Sequence, residues 1–415
     1  MKKAFIAILL SFSTLIFACD EPFEAFGVHL GSIDHFSASP EGTVEKVIEK
    51  VYNDLKVRHF RTSYESTFSP KEDTYEIVCG SDARICSWIE SLKILSDYPE
   101  ISVMASIWSP PHYMKTQIAT LPKSQEQNFH YFISNVTKLI KDQFGIEIER
   151  ISPVNEPENI FAGWEHLNML PDQLCRMVND FNDSTIAICP ENSYITTSLI
   201  YSQASTPACL ESCKIFGTHA YDLVFDNFTL RANYDLKARD RTIPSSIPIW
   251  QTEVSTTIST ATANEMRDAL DLAINVVNFV GHTCVQRYYY WLSYTLNPSG
   301  ESLIWGNSEG VLKFPKKYFA YRHFTLASQK GNKEIEKYDP VSGVTYLIFG
   351  QSNAVFVNNL DSTQTINFEK NRYECSTLFC TTISYDWNQQ LQTTKIALPA
   401  ESVCSCTLEY TRLEL

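Results

Sequence analysis

The sequence predicts an α/β protein, a closed (β/α)8 TIM barrel carrying a C-terminal β-sandwich-like side domain. From Glu24 to about Ser328, short β-type runs alternate with longer helical patterns, the signature of parallel βαβ units. After Ser328 the texture changes to short alternating runs separated by Asn, Asp, Gly and Ser, with no helical pattern between them. A chain of 415 residues accommodates a barrel of roughly 250 residues or more and an appendage.

The first element is an address rather than structure. Lys2 and Lys3 precede an apolar run from Ala4 to Ala18, and the small Ala18 offers a cleavage point before Cys19, so residues 1–18 read as a signal peptide. The run is shorter than the ~20 residues that span a membrane. A lipid-modified Cys19 is the alternative, disfavoured because Phe17 stands where such signals prefer a small residue. No other stretch is apolar over a membrane length, and Thr411–Leu415 is too polar for an anchor signal, so an exported protein with no membrane span is expected.

Residues 19–328 are assigned to the barrel and 329–415 to the side domain. Candidate barrel strands are Ala25–Leu30, Lys56–Thr62, Ile101–Ile107, Ile148–Val154, Thr185–Cys189, Ile215–Tyr221, Ile247–Thr252 and Gln286–Leu292. Between them lie candidate helices such as Thr43–Leu55, Ile85–Ser96, Ser124–Gln143, Pro171–Asn182 and Thr262–Val280. The last carries Met266, Leu270, Ala273, Ile274 and Val277 on one helical stripe. Eight strands in alternation favour a closed barrel over an open doubly wound sheet. No Gly-rich phosphate loop supports a nucleotide site. In the side domain, Val344–Phe349, Ala354–Asn358, Thr365–Phe368, Leu378–Tyr385 and Leu391–Leu398 are the candidate strands.

Composition narrows the function classes. The chain is 44% hydrophobic and 20% charged, so a large core is feasible. A formal charge of −14 argues against a nucleic-acid partner. Loss of Lys2 and Lys3 with the leader leaves 32 basic against 48 acidic side chains, or −16. The 21 Tyr and 7 Trp are ample for stacking on sugar rings and equally ample for a core. Twelve cysteines fit an oxidising compartment, and several come close in sequence: Cys79 and Cys86, Cys209 and Cys213, Cys375 and Cys380, Cys404 and Cys406. Neither paired C-x-x-C units nor histidines at ligand spacing occur, so structural disulfides are expected, with connectivity left open, and no metal or cofactor. Sequons at Asn135, Asn182 and Asn227 would permit glycosylation in a eukaryotic secretory route, but a chain this rich in Asn, Ser and Thr yields a few by chance, so they decide nothing.

Two segments carry the chemistry. In Ile151-Ser152-Pro153-Val154-Asn155-Glu156-Pro157 a strand runs straight into Asn-Glu-Pro, and in Pro248-Ile249-Trp250-Gln251-Thr252-Glu253-Val254 another strand ends in glutamate. Each glutamate falls at the carboxyl end of a barrel strand, where barrel enzymes keep their active sites. A single strand-end glutamate is usually a helix-cap neighbour or a solvated charge. Two at one mouth, from strands four and seven, are what glycoside hydrolysis needs: one protonated to help the leaving oxygen, one ionised to attack the anomeric carbon.

Over roughly Phe26 to Thr411 the chain resembles glycoside hydrolase family 30, a member of the large clan of (β/α)8 retaining hydrolases. Ser106-Ile107-Trp108-Ser109-Pro110-Pro111-His112-Tyr113-Met114-Lys115 is similar to that family's Ser-Pro-Trp-Ser-Pro-Pro-x-x-Met-Lys loop after strand three. Asn155-Glu156-Pro157 and Trp250-Gln251-Thr252-Glu253 resemble its acid/base and nucleophile motifs. Gly217-Thr218-His219-Ala220-Tyr221 resembles its strand-six His-x-Tyr, Ile188-Cys189-Pro190-Glu191 its strand-five ending, and Leu398–Val403 the closing strand of its side domain.

The resemblance implies an acid/base role for Glu156 and a nucleophile role for Glu253. It implies that Asn155 bonds the sugar 2-hydroxyl, that Tyr221 holds the Glu253 carboxylate, and that Arg61 keeps that carboxylate ionised by opposite charge. Trp108 and Trp291 become apolar walls for a sugar face, with a packed core position as the alternative for each. Arg58, on the opposite face of the same strand, rivals Arg61. His219 is either a site residue or a satisfied core histidine. Two features depart from the family. Only about Cys19–Glu24 remains for the N-terminal strand that members feed into the side domain. The run Tyr288-Tyr289-Tyr290-Trp291-Leu292-Ser293-Tyr294 lacks both the arginine of glucuronoxylan-specific members and the Gly-Gly-Pro-Asn-Trp of the glucosylceramidase branch.

The sequence therefore implies a secreted, monomeric retaining β-glycosidase. Its substrate would be a β-linked polysaccharide or glycoconjugate, with endo action on xylan or a β-1,6-linked glucan or galactan leading. A glucosylceramidase-like exo-enzyme is the alternative within the class. A carbohydrate-binding protein on a dead barrel and a disulfide-bonded structural protein are the alternatives outside it.

Overall fold

The structure is a computed structural model. It describes residues 22–30, 33–180, 188–219, 221, 243, 246–255, 264–282, 285–329, 335–338, 344–350, 352–367, 373–391 and 395–410. The leader, Cys19, two of the sequons, and Arg231, Lys237 and Arg239, the cations nearest in sequence that could replace the missing arginine after strand eight, lie outside these residues.

Eight parallel strands form the barrel: β1 (Ala25–His29), β2 (His59–Tyr64), β3 (Ser102–Ile107), β4 (Ile148–Ser152), β5 (Ile188–Asn192), β6 (Ile215–His219), β7 (Ile249–Val254) and β8 (Arg287–Tyr290). They run in the order β4-β3-β2-β1-β8-β7-β6-β5. Between β4 and β5 the seam is bridged at the mouth, where the Glu156 N–H donates to the Glu191 carbonyl at 3.0 Å. Barrel strand ends fall within three residues of the sequence expectation, and where they differ the hydrogen-bonded ladder, not the apolar run, sets them. Helices follow their stripes. Ala83–Ser96 starts at Asp82, whose carboxylate accepts the Arg84 N–H, and buries Ile85, Trp88, Ile89, Leu92 and Leu95. Glu126–Phe144 buries Phe129, Phe132, Ile133, Val136 and Ile140 and stops at Gly145. The φ of 70° at Gly145 is one that glycine adopts without strain. The expected Thr43–Leu55 helix is Thr43–Glu49 continued by a π-type turn over Lys50–Asp54.

Two cores fill the barrel region. Inside the ring, Met104, Ile188, Ile215, Trp250 and Tyr289 pack together. The large Tyr289 ring fits only because Gly27 on β1 has no Cβ; one there would overlap Tyr289 and lie 2.9 Å from the His59 carbonyl oxygen. Outside the ring, the helices cover residues such as Phe60, Val103, Ile151 and Val254. Below the barrel, Arg287 joins Glu24 at 2.6 Å and Glu149 at 2.8 Å and lies 4.0 Å over the Trp250 ring.

A six-stranded antiparallel sheet follows, ordered Ile335–Tyr338, Val344–Phe349, Asn353–Asn358, Ser402–Tyr410, Tyr373–Thr381, Asn388–Leu391. The single strand expected at Leu391–Leu398 is two. Asn388–Leu391 belongs to the six-stranded sheet, and Lys395–Leu398 pairs with Gln364–Asn367 in a second, two-stranded sheet. Alternation divides the large sheet's side chains. Leu347, Phe349, Val355, Val357 and Val403 join the barrel's outer core. Tyr346, Ile348, Phe356 and Leu408 face the other way, in a core of their own with Ile396 and Leu398. His323, buried on helix Lys316–Ala327, ties the two parts together through Ser405 at 2.7 Å and Thr381 at 3.1 Å. Disulfides join Cys79–Cys86, Cys175–Cys209, Cys189–Cys213, Cys375–Cys406 and Cys380–Cys404. Of the pairs close in sequence, only Cys79 and Cys86 bond to each other. Among the described residues, no helix is long and apolar enough to cross a membrane.

Candidate active site

Strand geometry brings the charged residues of five strands to one point. Arg61 projects inward from β2 and is fully buried. Its Nη1 donates to Glu253 Oε2 at 2.6 Å, and its Nη2 donates to Asn155 Oδ1 at 2.7 Å and Glu191 Oε1 at 3.2 Å. Burial opposes its charge, but Glu191 and Glu253 reverse that and hold the guanidinium protonated. Arg58, the rival, lies elsewhere: it bonds the Tyr52 and Val57 carbonyls and stacks 3.4 Å from the Tyr52 ring.

Glu253 reaches this point because β7 slips register against its neighbours. Thr218 pairs with Gln251, but the next residue, His219, pairs with Glu253, so β7 holds one extra residue there. Strict alternation from the inward Trp250 would point Thr252 and Val254 inward and Glu253 out. The bulge reverses that, as bulges beside active sites do. On its second oxygen Glu253 accepts the Tyr221 hydroxyl at 2.8 Å. Tyr221 stays a neutral donor, since burial and the charges of Glu253 and Glu156 push its pKa upward.

Glu156 follows β4 with a left-handed backbone, φ 48°. Such a conformation costs a non-glycine residue roughly 1–2 kcal/mol. The Asn155 N–H bonds the Ile107 carbonyl at 2.8 Å, fixing the turn to β3. The Glu156 carboxyl meets His219 Nδ1 at 2.9 Å on one oxygen and Asn159 Nδ2 at 3.1 Å on the other. One ligating atom each of Glu156, His219 and Glu253 lies within 4.8 Å of the others. That spacing suits a small cation, yet Arg61 and Tyr221 already occupy both Glu253 oxygens and His219 occupies Glu156. The donors present therefore match a cluster balanced by protein cations.

Electrostatics follow from the count. Burial alone would lower His219, but Glu253, Glu156 and Glu191 together raise it to about 10. Burial would raise Glu156, and His219 and Asn159 bring it below the usual carboxylate range. For Glu253, burial and the Glu156 charge push the pKa up against His219 and Arg61. Glu191 would be raised by burial, but Arg61, His219 and Ser106 hold it down at about 2, so it is an anion throughout.

Above the cluster opens a cavity of about 450 Å³. Six of the eight site residues read from the sequence line it: Trp108, Asn155, Glu156, Tyr221, Glu253 and Trp291. Trp108 and Trp291 stack with ring centroids 5.8 Å and planes 30° apart, and both are partly exposed, which makes them walls rather than core. The other two, Arg61 and His219, lie beneath the cavity, fully buried: Arg61 meets the Glu253 carboxylate, as the sequence reading has it, and His219, left open there between site and core, meets Glu156. Against the walls His29 is neutral, since burial and Arg61 lower its pKa well below the ordinary value.

The chain superposes on an endoxylanase of glycoside hydrolase family 30 from Clostridium papyrosolvens over 95% of this chain and 98% of that one, with a TM-score of 0.68 at 16% identity. The fold is that of glycoside hydrolase family 30. A conserved exported protein from Bacteroides fragilis matches at TM-score 0.72 and 14% identity, over 93% of this chain and 98% of that one. An endo-β-1,6-glucanase matches at TM-score 0.66 and 14% identity, over 93% and 91%. No family model and no curated protein matches the chain by sequence.

Within this family-30-like fold, several residues at the site were not read as functional from the sequence, among them Glu191, Asn159, Glu301 and Trp164. Glu191 ends β5 in the same strand-to-glutamate pattern as Glu156, a signal present in the sequence. Asn159 sits three residues beyond Glu156 and bonds it. Glu301 and Trp164 line the cavity from loops with no distinguishing pattern.

Proposed function

We propose that this protein is an exported retaining β-glycosidase that cleaves a β-linked polysaccharide by double displacement. The observation that carries this is the close approach of Glu156 and Glu253, with oxygens within 4.8 Å, at the C-terminal mouth of the barrel. Retaining enzymes hold their two carboxyls ~5–5.5 Å apart, whereas inverting ones leave roughly 6.5–9.5 Å for a water. Glu253 is the nucleophile: clamped by Arg61 and Tyr221, its carboxylate attacks the anomeric carbon as the glycosidic C–O bond breaks. Glu156, ionised in the resting site, takes the proton that His219 Nδ1 holds 2.9 Å away and passes it to the departing oxygen, leaving His219 neutral.

The resulting ester removes the negative charge of Glu253, the largest of those that raise the His219 pKa, and leaves Glu156 as the carboxylate beside the anomeric carbon. The same carboxyl group now takes a proton from water, the water oxygen bonds the anomeric carbon, and the ester bond breaks. His219, charged beside both glutamates, is a proton reserve that keeps the pair from carrying two free negative charges. Asn155, held by Arg61, aims at the sugar 2-hydroxyl, and Trp108 and Trp291 wall the reacting ring.

A dead barrel that only binds carbohydrate has no use for a buried arginine clamp on one glutamate and a histidine on the other. The endoxylanase and endo-β-1,6-glucanase names of structural neighbours favour a polysaccharide, xylan or a β-1,6-linked glucan or galactan, over a glycolipid. Disulfides among the described residues favour export, and the chain is taken as a monomer. Proton NMR of early hydrolysis products tests the reading. The β anomer should appear first and mutarotate later; first appearance of the α anomer means inversion, and no hydrolysis of any of these glycans rejects the assignment.

A further inference from the structure

A second concavity, of about 430 Å³, adjoins the first and is lined by segments following β3 and β4. Trp164 and Glu165 belong to both cavities, so the two meet along these side chains. Trp164 is 48% exposed, a large flat apolar face open to solvent. Its surroundings are held in place. Glu165 accepts Lys115 Nζ at 3.1 Å and the Ser66 hydroxyl at 3.0 Å, and Lys115 also donates to Ser109 Oγ at 2.6 Å. Behind the platform, Asn168 donates its N–H to the Ala119 carbonyl at 2.7 Å and its Nδ2 to the Ile118 carbonyl at 3.1 Å. The β3 and β4 segments are thereby bolted together, and a platform ordered before binding loses little entropy when a ligand arrives.

Direction follows from strand order. Glu253 stands on β7, opposite β3 in the ring, whereas Glu156 leads directly into the segment that carries Trp164. The second cavity therefore lies on the Glu156 side. A proton donor stands beside the oxygen that departs, so whatever occupies this side belongs to the leaving group. We propose that Trp164, edged by Lys115, Glu165 and His166, is a subsite for a sugar ring on the leaving-group side of the cleaved bond. The inference rests on the retaining reading above and deepens it to cleavage within a chain. The ring's C–H face lies on the indole, and its hydroxyls meet the charged edge.

The retaining reaction itself supplies the test, because a sugar that captures the glycosyl ester must sit where the leaving group sat. With 4-nitrophenyl β-xylobioside and β-gentiobioside as donors, transfer to added xylobiose or gentiobiose is compared with transfer to methanol. Trp164→Ala should lower the ratio of sugar to methanol products about tenfold, and Trp164→Phe should restore much of it. An unchanged ratio overturns the subsite while the methanol product still upholds the glycosyl ester. Absence of methanol product from the unaltered enzyme overturns the retaining reading instead. Saturation-transfer NMR of the two disaccharides on Glu253→Gln protein gives a readout without turnover: loss of signal on adding Trp164→Ala supports the subsite, and unchanged signal overturns it.

Discussion

Glu156 and Glu191 both sit with left-handed backbones at the barrel mouth, φ 48° and 56°, and the amide of one bonds the carbonyl of the other. Their side chains face different work. For Glu156→Ala, loss of the proton donor should reduce polymer cleavage by roughly 10²–10⁴ while sparing bond breaking in activated aryl glycosides, and azide should restore turnover as a glycosyl azide. Normal polymer hydrolysis by that variant would remove Glu156 from the mechanism. Glu191 lines neither of the two cavities described above. It faces Arg61 from β2, Ser106 from β3 and His219 from β6, with Glu156 and Glu253 beyond them. As a permanent anion it raises the pKa of every group around it. Glu191→Gln removes that charge, so His219, Glu156 and Glu253 should all release protons more readily. Both limbs of the profile of kcat/KM against pH should then move to lower pH. A lowered rate with unmoved limbs would mean that Glu191 is merely structural.

At the scale of the element, one device recurs: an extra residue in a strand that turns an acid inward. In β4 the register slips at Glu149, in β5 at Glu191, and in β7 before Glu253. Glu149 uses its slip to grip Arg287 at the floor of the barrel. Burial would raise its pKa, but Arg287, Ser102 and Arg150 bring it from 4.5 to about 2. A carboxylate held down in this way stabilises the fold fully above its unfolded pKa, near 4.5, and the contribution fades as pH falls toward about 2. The thermal midpoint should therefore drop between these pH values, and Glu149→Gln should start lower at neutral pH and fall less steeply. Parallel curves for the two proteins would show that Arg287 gains nothing from the charge.

For the whole molecule, the charge of the cleft bears on substrate. Among the described residues lining the cavity, five are glutamates, Glu65, Glu156, Glu165, Glu253 and Glu301, and Arg84 is the one permanent cation. Glu301 comes from the stretch after β8, where the sequence carries no arginine to bind a glucuronate. Burial and Glu253 raise its pKa, as expected for an acid facing a site already negative. Xylan cleavage should therefore not depend on glucuronate branches. Product analysis on glucuronoxylan before and after removal of the uronic acids checks this, and activity that disappears on removal would reveal a cation reading the carboxylate.

Periodicity and strand-end residues determined the barrel, the side sheet and the two glutamates of the pair, because a βαβ alternation and a strand running into Asn-Glu-Pro are local patterns. Arg61 was legible only as one of two candidates. The ladder decided it, since the inward face of β2 carries Arg61 while Arg58 lies on the Tyr52 ring. Glu253 shows the boundary best. Its place at the end of a strand is in the sequence, but alternation from Trp250 would turn it away from the site. Only the neighbouring strand, by pairing His219 with Glu253 after Thr218 with Gln251, forces the extra residue that turns it in. The disulfides divide the same way: that disulfides form is a matter of composition, whereas the pairings Cys175–Cys209 and Cys189–Cys213 depend on which elements pack together. Register, bulges and the meeting of two cavities at Trp164 are relations between segments distant along the chain, and no local pattern encodes them.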